Sequence, residues 1–140
     1  MSTISGTSGD SAQRSPFGSS RSAFSGQYVE NLRVRMLGLF QSDKIWKYPS
    51  LSEGTLARML GVPIEHLRAA LKSEGVTFRV LCARYRLQEA ERRMRVGGKL
   101  KMKEVAINSG FGDYNTFHKH FVRKHGENPE LWMKRFADKR

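Results

Sequence analysis

One pattern of small, glycine and apolar residues occurs twice in this chain, and it constrains the fold more than any other feature. In each copy a glycine follows an alanine by one helical turn, and a short turn then leads to an apolar pair spaced i, i+4. The copies consist of Ala57, Gly61, Leu67 and Leu71, and of Ala106, Gly110, Phe117 and Phe121. The alanine lets two helices approach closely, the glycine can adopt the left-handed turn conformation, and the apolar pair seats the second helix. The pattern predicts two helix-turn-helix units.

The charge of the chain indicates a polyanionic partner. The 140 residues include 25 Lys and Arg against 13 Asp and Glu, a formal net charge of +12. A single domain this basic is typical of proteins that bind DNA, RNA or an anionic membrane. Nine basic residues lie between Arg79 and Lys103, against only Glu89 and Glu91. This density of positive charge favours a surface whose electrostatic field attracts a polyanion. The alternative is a solvated helix face on which the charges form salt bridges.

Cysteine usage and hydropathy restrict the compartment. Cys82 is the only cysteine, which excludes a disulfide framework and suits a reducing environment, and we expect it to pack as a small apolar residue. The first residues lack a signal-peptide pattern, and no apolar run is long enough to cross a bilayer. We expect a soluble cytoplasmic protein, associated with the nucleoid, that neither enters nor spans a membrane.

The hydrophobic periodicity predicts an all-α chain of about seven helices, with no strand. Residues 1–26 are rich in Ser, Gly and Thr, and this composition predicts a disordered arm. Residues 27–140 then form the folded part, and its first helix runs to about residue 41. The first helix-turn-helix unit is expected at about 52–74, a long linker helix at about 77–95 and the second unit at about 101–124. Ser52, Thr77, Asp113 and Asn128 are the predicted N-caps.

The second unit carries the resemblance to a known family. The residues concerned are Phe78, Arg86, Ala90, Val105, Ala106, Gly110, Phe111, Phe117, Phe121, Gly126 and Pro129. In type and spacing they resemble the DNA-binding domain of AraC/XylS-type transcription regulators. The likeness covers roughly residues 32–136 and is looser in the first unit, where Pro63 stands at the position of the family's usual serine.

The resemblance implies that the second helix of each unit enters the major groove. The two insertions would then lie on one face of the duplex, about 34 Å apart in successive turns. The positions that correspond to base-reading residues are Glu65, Arg68, Ala69, Tyr114, Asn115, His118 and Lys119. Phosphate contacts are expected from Thr77, Lys101 and Lys103, which lie near helix starts. An Asn side chain can form two hydrogen bonds with the N6 and N7 atoms of adenine. Arg or Lys can donate hydrogen bonds to the O6 and N7 atoms of guanine.

Catalytic and metal-binding functions find little support in the sequence. His118 and His120 lie about 200° apart around a helix, and neither they nor His125 have a suitably spaced companion ligand. No phosphate loop, nucleophile elbow or dinucleotide fingerprint occurs. We therefore expect no enzyme activity, no metal and no cofactor. Arg86 lies among apolar positions of the linker helix, which favours a structural hydrogen-bonding role over a phosphate contact.

Taken together, these patterns predict a sequence-specific DNA-binding transcription regulator. By analogy with the family it would be an activator that contacts RNA polymerase and binds DNA as a monomer. Two alternatives stay open: a protein-interaction module for RNA polymerase or another regulator, and a non-specific nucleic-acid binder. The sequence contains no separate sensing or dimerisation domain, so we expect either a stand-alone regulator or the C-terminal part of a larger sensor. The target sequence, the sign of regulation and any effector cannot be derived from these residues.

Overall fold

The computed structural model describes residues 25–138, and these form seven α-helices and one short 3-10 turn without any strand. The helices are α1 Gly26–Gln41, α2 Glu53–Leu60, α3 Ile64–Glu74, α4 Phe78–Val96, α5 Met102–Asn108, α6 Tyr114–His125 and α7 Pro129–Asp138. The 3-10 turn Ile45–Lys47 lies in the connector between α1 and α2. The predicted all-α fold with about seven helices is confirmed.

Short polar side chains begin the helices where the sequence predicted them. The side chains of Ser52, Thr77 and Asp113 each accept a hydrogen bond from the backbone N–H three residues later, and Asn128 does the same for α7. Ser25 caps α1 in the same way, so this helix begins inside the stretch expected to be a disordered arm. The rest of that arm lies outside the described residues.

The interior consists of two hydrophobic cores that share α4. The first core is formed by α1, α2, α3 and the N-terminal half of α4, and the second by the C-terminal half of α4 with α5, α6 and α7. Along α4, Leu81 and Cys82 contribute to the first core, whereas Leu87 and Met94 contribute to the second. Each helix-turn-helix unit therefore has its own core, and the linker helix is a structural part of both.

Helix α1 covers the first unit and packs mainly against α3. Its buried face consists of Leu32, Met36 and Phe40, as the helical spacing predicted. At the edge of this contact Arg33 donates to Glu74 of α3, with 2.8 Å between Nη1 and Oε1. Arg84 of α4 donates to the other oxygen of the same carboxylate at 2.9 Å. Hydrogen bonds from both arginines lower the pKa of Glu74, so three helices meet at one ionised carboxylate.

The two units are joined through the backbone of the connector. Arg86 of α4 donates from Nε to the carbonyl of Trp46 at 2.7 Å and from Nη2 to that of Tyr48 at 2.9 Å. Gly110, in the turn of the second unit, lies directly against the Trp46 carbonyl with φ +93°. A Cβ atom at Gly110 would overlap that oxygen and crowd the backbone of Lys47. The structural role predicted for Arg86 is confirmed.

We expect Gly110→Ala to destabilise the protein by about 2–5 kcal/mol, because it adds backbone strain to a steric overlap with main-chain atoms that cannot move independently. The matched control is Gly126→Ala, which also has positive φ but open space around it and should cost about 1–2 kcal/mol. Urea denaturation of both variants measures the difference. Equal losses would show that the turn does not need this close approach.

Candidate nucleic-acid interface

Helix α3 is the second helix of the first unit, which the family resemblance implies to be its reading helix. Gly61 ends α2 in the left-handed conformation, and Pro63 leads directly into α3. The inner face of α3 is buried through Leu67, Ala70 and Leu71, which leaves the opposite face in solvent. Glu65 and Arg68 are exposed on that face, one turn apart, and Ala69 is half-buried beside them. Arg68 is held by Glu53 of α2, with Nη2 and Oε1 3.3 Å apart.

Helix α6 is the second helix of the second unit, which the family resemblance implies to be its reading helix. Asp113 caps it by accepting from the Thr116 N–H at 2.8 Å, and this hydrogen bond lowers the pKa of the Asp113 carboxyl. Phe117 and Phe121 are fully buried, which confirms their predicted core role. Asn115 and Lys119 are exposed one turn apart on the outer face. Neither side chain makes a hydrogen bond or an ion pair with any residue in the described range, so both are available to a partner.

Tyr114 and His118 are half-buried rather than fully presented. The Tyr114 hydroxyl donates to the Glu130 carboxylate of α7, at 2.9 Å from Oε2. Burial and this hydrogen bond raise the pKa of Tyr114 to about 12. The rings of Tyr114 and His118 contact each other, with centroids 5.6 Å apart. Tyr114 therefore ties α6 to α7, and its hydroxyl reaches a base only if it leaves Glu130.

The expected phosphate-contacting residues all lie at the surface, at helix starts. Thr77 is exposed, and its Oγ1 accepts from the Val80 N–H at 3.2 Å as the N-cap of α4. Lys101 is the N-cap residue of α5, and Lys103 lies in the first turn of that helix. Both lysines are exposed, and within the described residues neither forms an ion pair.

Part of the positive charge on the linker helix is used internally, as the salt-pair alternative supposed. Glu89 binds both Arg92 and Arg93, and the buried Glu91 accepts from Lys124 and His125 of α6, each at 2.7 Å. Arg84 and Arg86 have the partners described above, and Arg95 lies over the ring of Trp132. The members of the Arg79–Lys103 set that make no such contact with described residues are Arg79, Lys99, Lys101 and Lys103. The positive charges of residues 79–103 that stay available to a partner therefore lie at the two ends of that segment and not in its middle.

Two arginines and one histidine at the surface near these helices were not among the predicted site residues. Arg123 is exposed one turn beyond Lys119 on α6, a spacing from which the sequence could have identified it. Arg79 of α4 and His120 of α6 line the same cleft between the two units. Arg79 and His120 are far apart in the chain, so no local sequence pattern indicated that they line one cleft.

Each of the four histidines contacts an aromatic ring. Within the part of the chain that the structure describes, no group of three or more His, Cys, Asp or Glu side chains converges. His125 is bound to Glu91 and packs on Phe121, with ring centroids 4.2 Å apart. The Nδ1 atom of His66 lies 2.7 Å from the Tyr28 hydroxyl of α1.

Comparison with known proteins agrees with this geometry. A family model described as a helix-turn-helix domain matches residues 56–135, which span α2 to α7. The chain therefore belongs to the AraC/XylS-type helix-turn-helix family. It is a DNA-binding transcription regulator of that type, and the family is a regulatory one and not a family of enzymes. No curated protein and no solved structure matches the chain. Among the described helices, none combines the length and apolar character that a bilayer span requires.

We expect Tyr114→Phe to reduce the free energy of unfolding by about 1 kcal/mol, because the Glu130 carboxylate loses its hydrogen-bond donor while the ring contacts remain. If the hydroxyl only holds α7, the base preference measured with a panel of duplexes should stay unchanged. A shift of preference at one base pair, with stability unchanged, would instead identify Tyr114 as a base-reading residue.

Proposed function

We propose that the protein is a sequence-specific regulator that inserts α3 and α6 into successive major grooves of duplex DNA at the nucleoid. The observation that carries this proposal is the arrangement of α6. Its apolar face is fully buried, while Asn115, Lys119 and Arg123 form an exposed stripe without internal hydrogen bonds or ion pairs in the described range. Asn can bind adenine through both its amide groups, and Lys and Arg can bind guanine O6 and N7.

The first unit also supports this proposal, but its contribution to base contacts is smaller. Arg68 and Glu65 lie where a recognition helix presents base-contacting side chains, with Ala69 beside them as an apolar contact. Arg68 would have to exchange its Glu53 partner for a base edge, and this exchange lowers its net contribution. We therefore propose that α6 provides most of the specificity and that α3 adds to it.

The phosphate backbone would be held by residues beside the two reading helices. Thr77, Lys101 and Lys103 occupy exposed positions at the starts of α4 and α5, where side chains and backbone N–H groups attract anions. Because one chain carries both reading helices, a monomer would occupy an asymmetric site of about 20 base pairs. Activation through contact with RNA polymerase is the usual mode of the family, and we propose it here by that analogy alone.

A second function, as a protein-interaction module, is favoured by one observation on α3. This helix carries Glu65 and Glu74 against Arg68 and Lys72, so its charges cancel, whereas α6 carries Lys119, Arg123 and Lys124 without an acidic residue. A neutral exposed helix suits a protein partner better than a polyanion. On this alternative only the second unit would bind DNA.

The salt dependence of binding separates these two functions. If both units contact phosphates, the logarithm of the association constant should fall linearly with the logarithm of salt concentration, by about 0.9 for each contact. Mobility-shift assays with specific and scrambled competitor duplexes measure affinity and specificity together. A shallower slope, from the phosphate contacts of one unit only, would favour the protein-interaction module, and a flat salt response would remove DNA as the main partner.

Single substitutions should distinguish base contacts from phosphate contacts. Asn115→Ala and Arg68→Ala should each weaken binding to the preferred site by about 1–3 kcal/mol and relax the base preference at one position. Lys103→Ala should weaken all duplexes about equally, because a phosphate contact carries no sequence information. If Arg68→Ala leaves the preference intact, α3 does not bind bases through that residue.

The stoichiometry of the complex tests the monomeric arrangement. Light scattering of the purified complex on a single-site duplex should give one chain per duplex, and a footprint should cover two successive major grooves. Two chains on one asymmetric site, or protection of one groove only, would contradict the proposal that a single chain reads both.

A further inference from the structure

A cleft of about 460 Å³ lies between the two helix-turn-helix units, and neither the family match nor the predicted base contacts give it a role. Several of its lining residues are apolar and buried, among them Leu51, Cys82 and Phe111. Burial raises the pKa of the Cys82 thiol to about 11, so this side chain stays neutral. The ionisable groups that decide what the cleft attracts therefore lie at its mouth.

The mouth of the cleft is cationic. Arg79 of α4 is exposed and makes no hydrogen bond or ion pair with a described residue. His120 of α6 lines the same cleft, is half-buried, contacts the ring of Phe111 and has no hydrogen bond to a described residue. The one carboxylate that lines the cleft belongs to Glu53, and Arg68 already binds it. An anion approaching the cleft would meet two uncompensated nitrogen-bearing groups.

The position of the cleft relates it to the reading helices. His120 directly follows Lys119 on α6, and Arg79 lies two residues after the Thr77 cap of α4. Glu53, on the opposite side, contacts Arg68, which belongs to α3. A duplex that presents successive major grooves to α3 and α6 also presents the phosphate backbone that lies between those grooves. This backbone must then run between α3 and α6, where the cleft lies.

We propose that Arg79 and His120 form a phosphate-binding site at the mouth of this cleft, which holds the DNA backbone between the two major grooves. This inference rests on the proposed function, because it requires both reading helices to engage one duplex. Arg79 supplies a permanent charge and a planar set of donors that matches a phosphate. His120 supplies a second donor whose charge depends on pH.

The surroundings of His120 couple DNA binding to proton uptake. Burial, Arg123 and Lys119 on its own helix, and Arg79 and Arg86 on α4 all lower the pKa of His120. Of the other ionisable groups lining the cleft, Cys82 is neutral and the Glu53 carboxylate is paired with Arg68. In the free protein His120 is therefore neutral at neutral pH.

A phosphate placed beside the ring favours its charged form, so the pKa of His120 rises in the complex. Affinity must then increase as pH falls through the pKa of the complex, and the increase ends below the lower pKa of the free protein.

The test uses the full chain and its preferred duplex, selected beforehand from a randomised pool, with fluorescence anisotropy at constant ionic strength. Arg79→Gln should weaken binding to specific and scrambled duplexes alike by about tenfold, and should reduce the salt slope by about 1. The matched control is Lys44→Gln, which removes an exposed charge that lines a separate groove beside Tyr85 and Gln88. Its affinity and salt slope should equal those of the wild type.

The pH arm uses His120→Gln, which keeps a hydrogen-bonding side chain but cannot take up a proton. The wild type should bind more tightly at pH 6 than at pH 8, and His120→Gln should lose most of this dependence. His66→Gln, in the first unit, should retain it. Thermal unfolding confirms that each variant is folded, and Arg79→Lys, which retains the charge, should recover most of the lost affinity.

The outcomes separate this inference from the proposed function. If the wild type shows no preference for any duplex, the proposed function fails. If the wild type binds specifically while Arg79→Gln keeps the full salt slope, or His120→Gln keeps the full pH dependence, the phosphate site in the cleft is wrong and the proposed function stands.

Discussion

The guanidinium of Arg86 donates hydrogen bonds to two main-chain carbonyls of the connector, those of Trp46 and Tyr48. Gly110 packs against the same Trp46 carbonyl from the side of the second unit. Main-chain atoms cannot rotate away as side chains can, so these contacts hold the backbone of the connector itself. Helix α4, the connector and the turn of the second unit are therefore locked together. Because each reading helix is fixed to its own core, this joint sets how α3 and α6 stand relative to one another.

The charges of the protein divide into a structural set and an interface set. Glu74 and Glu91 bind arginines, a lysine and a histidine of other helices, whereas Glu89 binds Arg92 and Arg93 within α4. Among the cations left without such partners in the described range, Arg123 lies on α6 beside Lys119, and Lys103 lies at the start of α5. This division explains how a chain with a net charge of +12 can be tightly folded and still present a field to DNA. Total charge alone does not tell these two sets apart.

Local patterns in the sequence were sufficient to predict where the helices lie and which face of each helix is buried. The caps at Ser52 and Asp113 and the left-handed glycine at Gly61 depend on residues within one turn, so spacing alone predicts them. The same holds for the buried faces, since an apolar pair such as Phe117 and Phe121 can face only the core. The family resemblance, and not this periodicity, indicated which residues of α6 would contact bases, and of these Asn115 and Lys119 are exposed.

Tertiary contacts decided what those surface residues are free to do. The sequence could not show that Glu130 holds the Tyr114 hydroxyl, that Glu53 holds Arg68, or that Arg79 and His120 share one cleft. Each of these contacts joins separate helices, and its existence depends on how the helices pack, which the local pattern does not encode. The sequence by itself thus determined the elements, their faces and the family, and the packing of the two units decided which side chains remain available to a duplex.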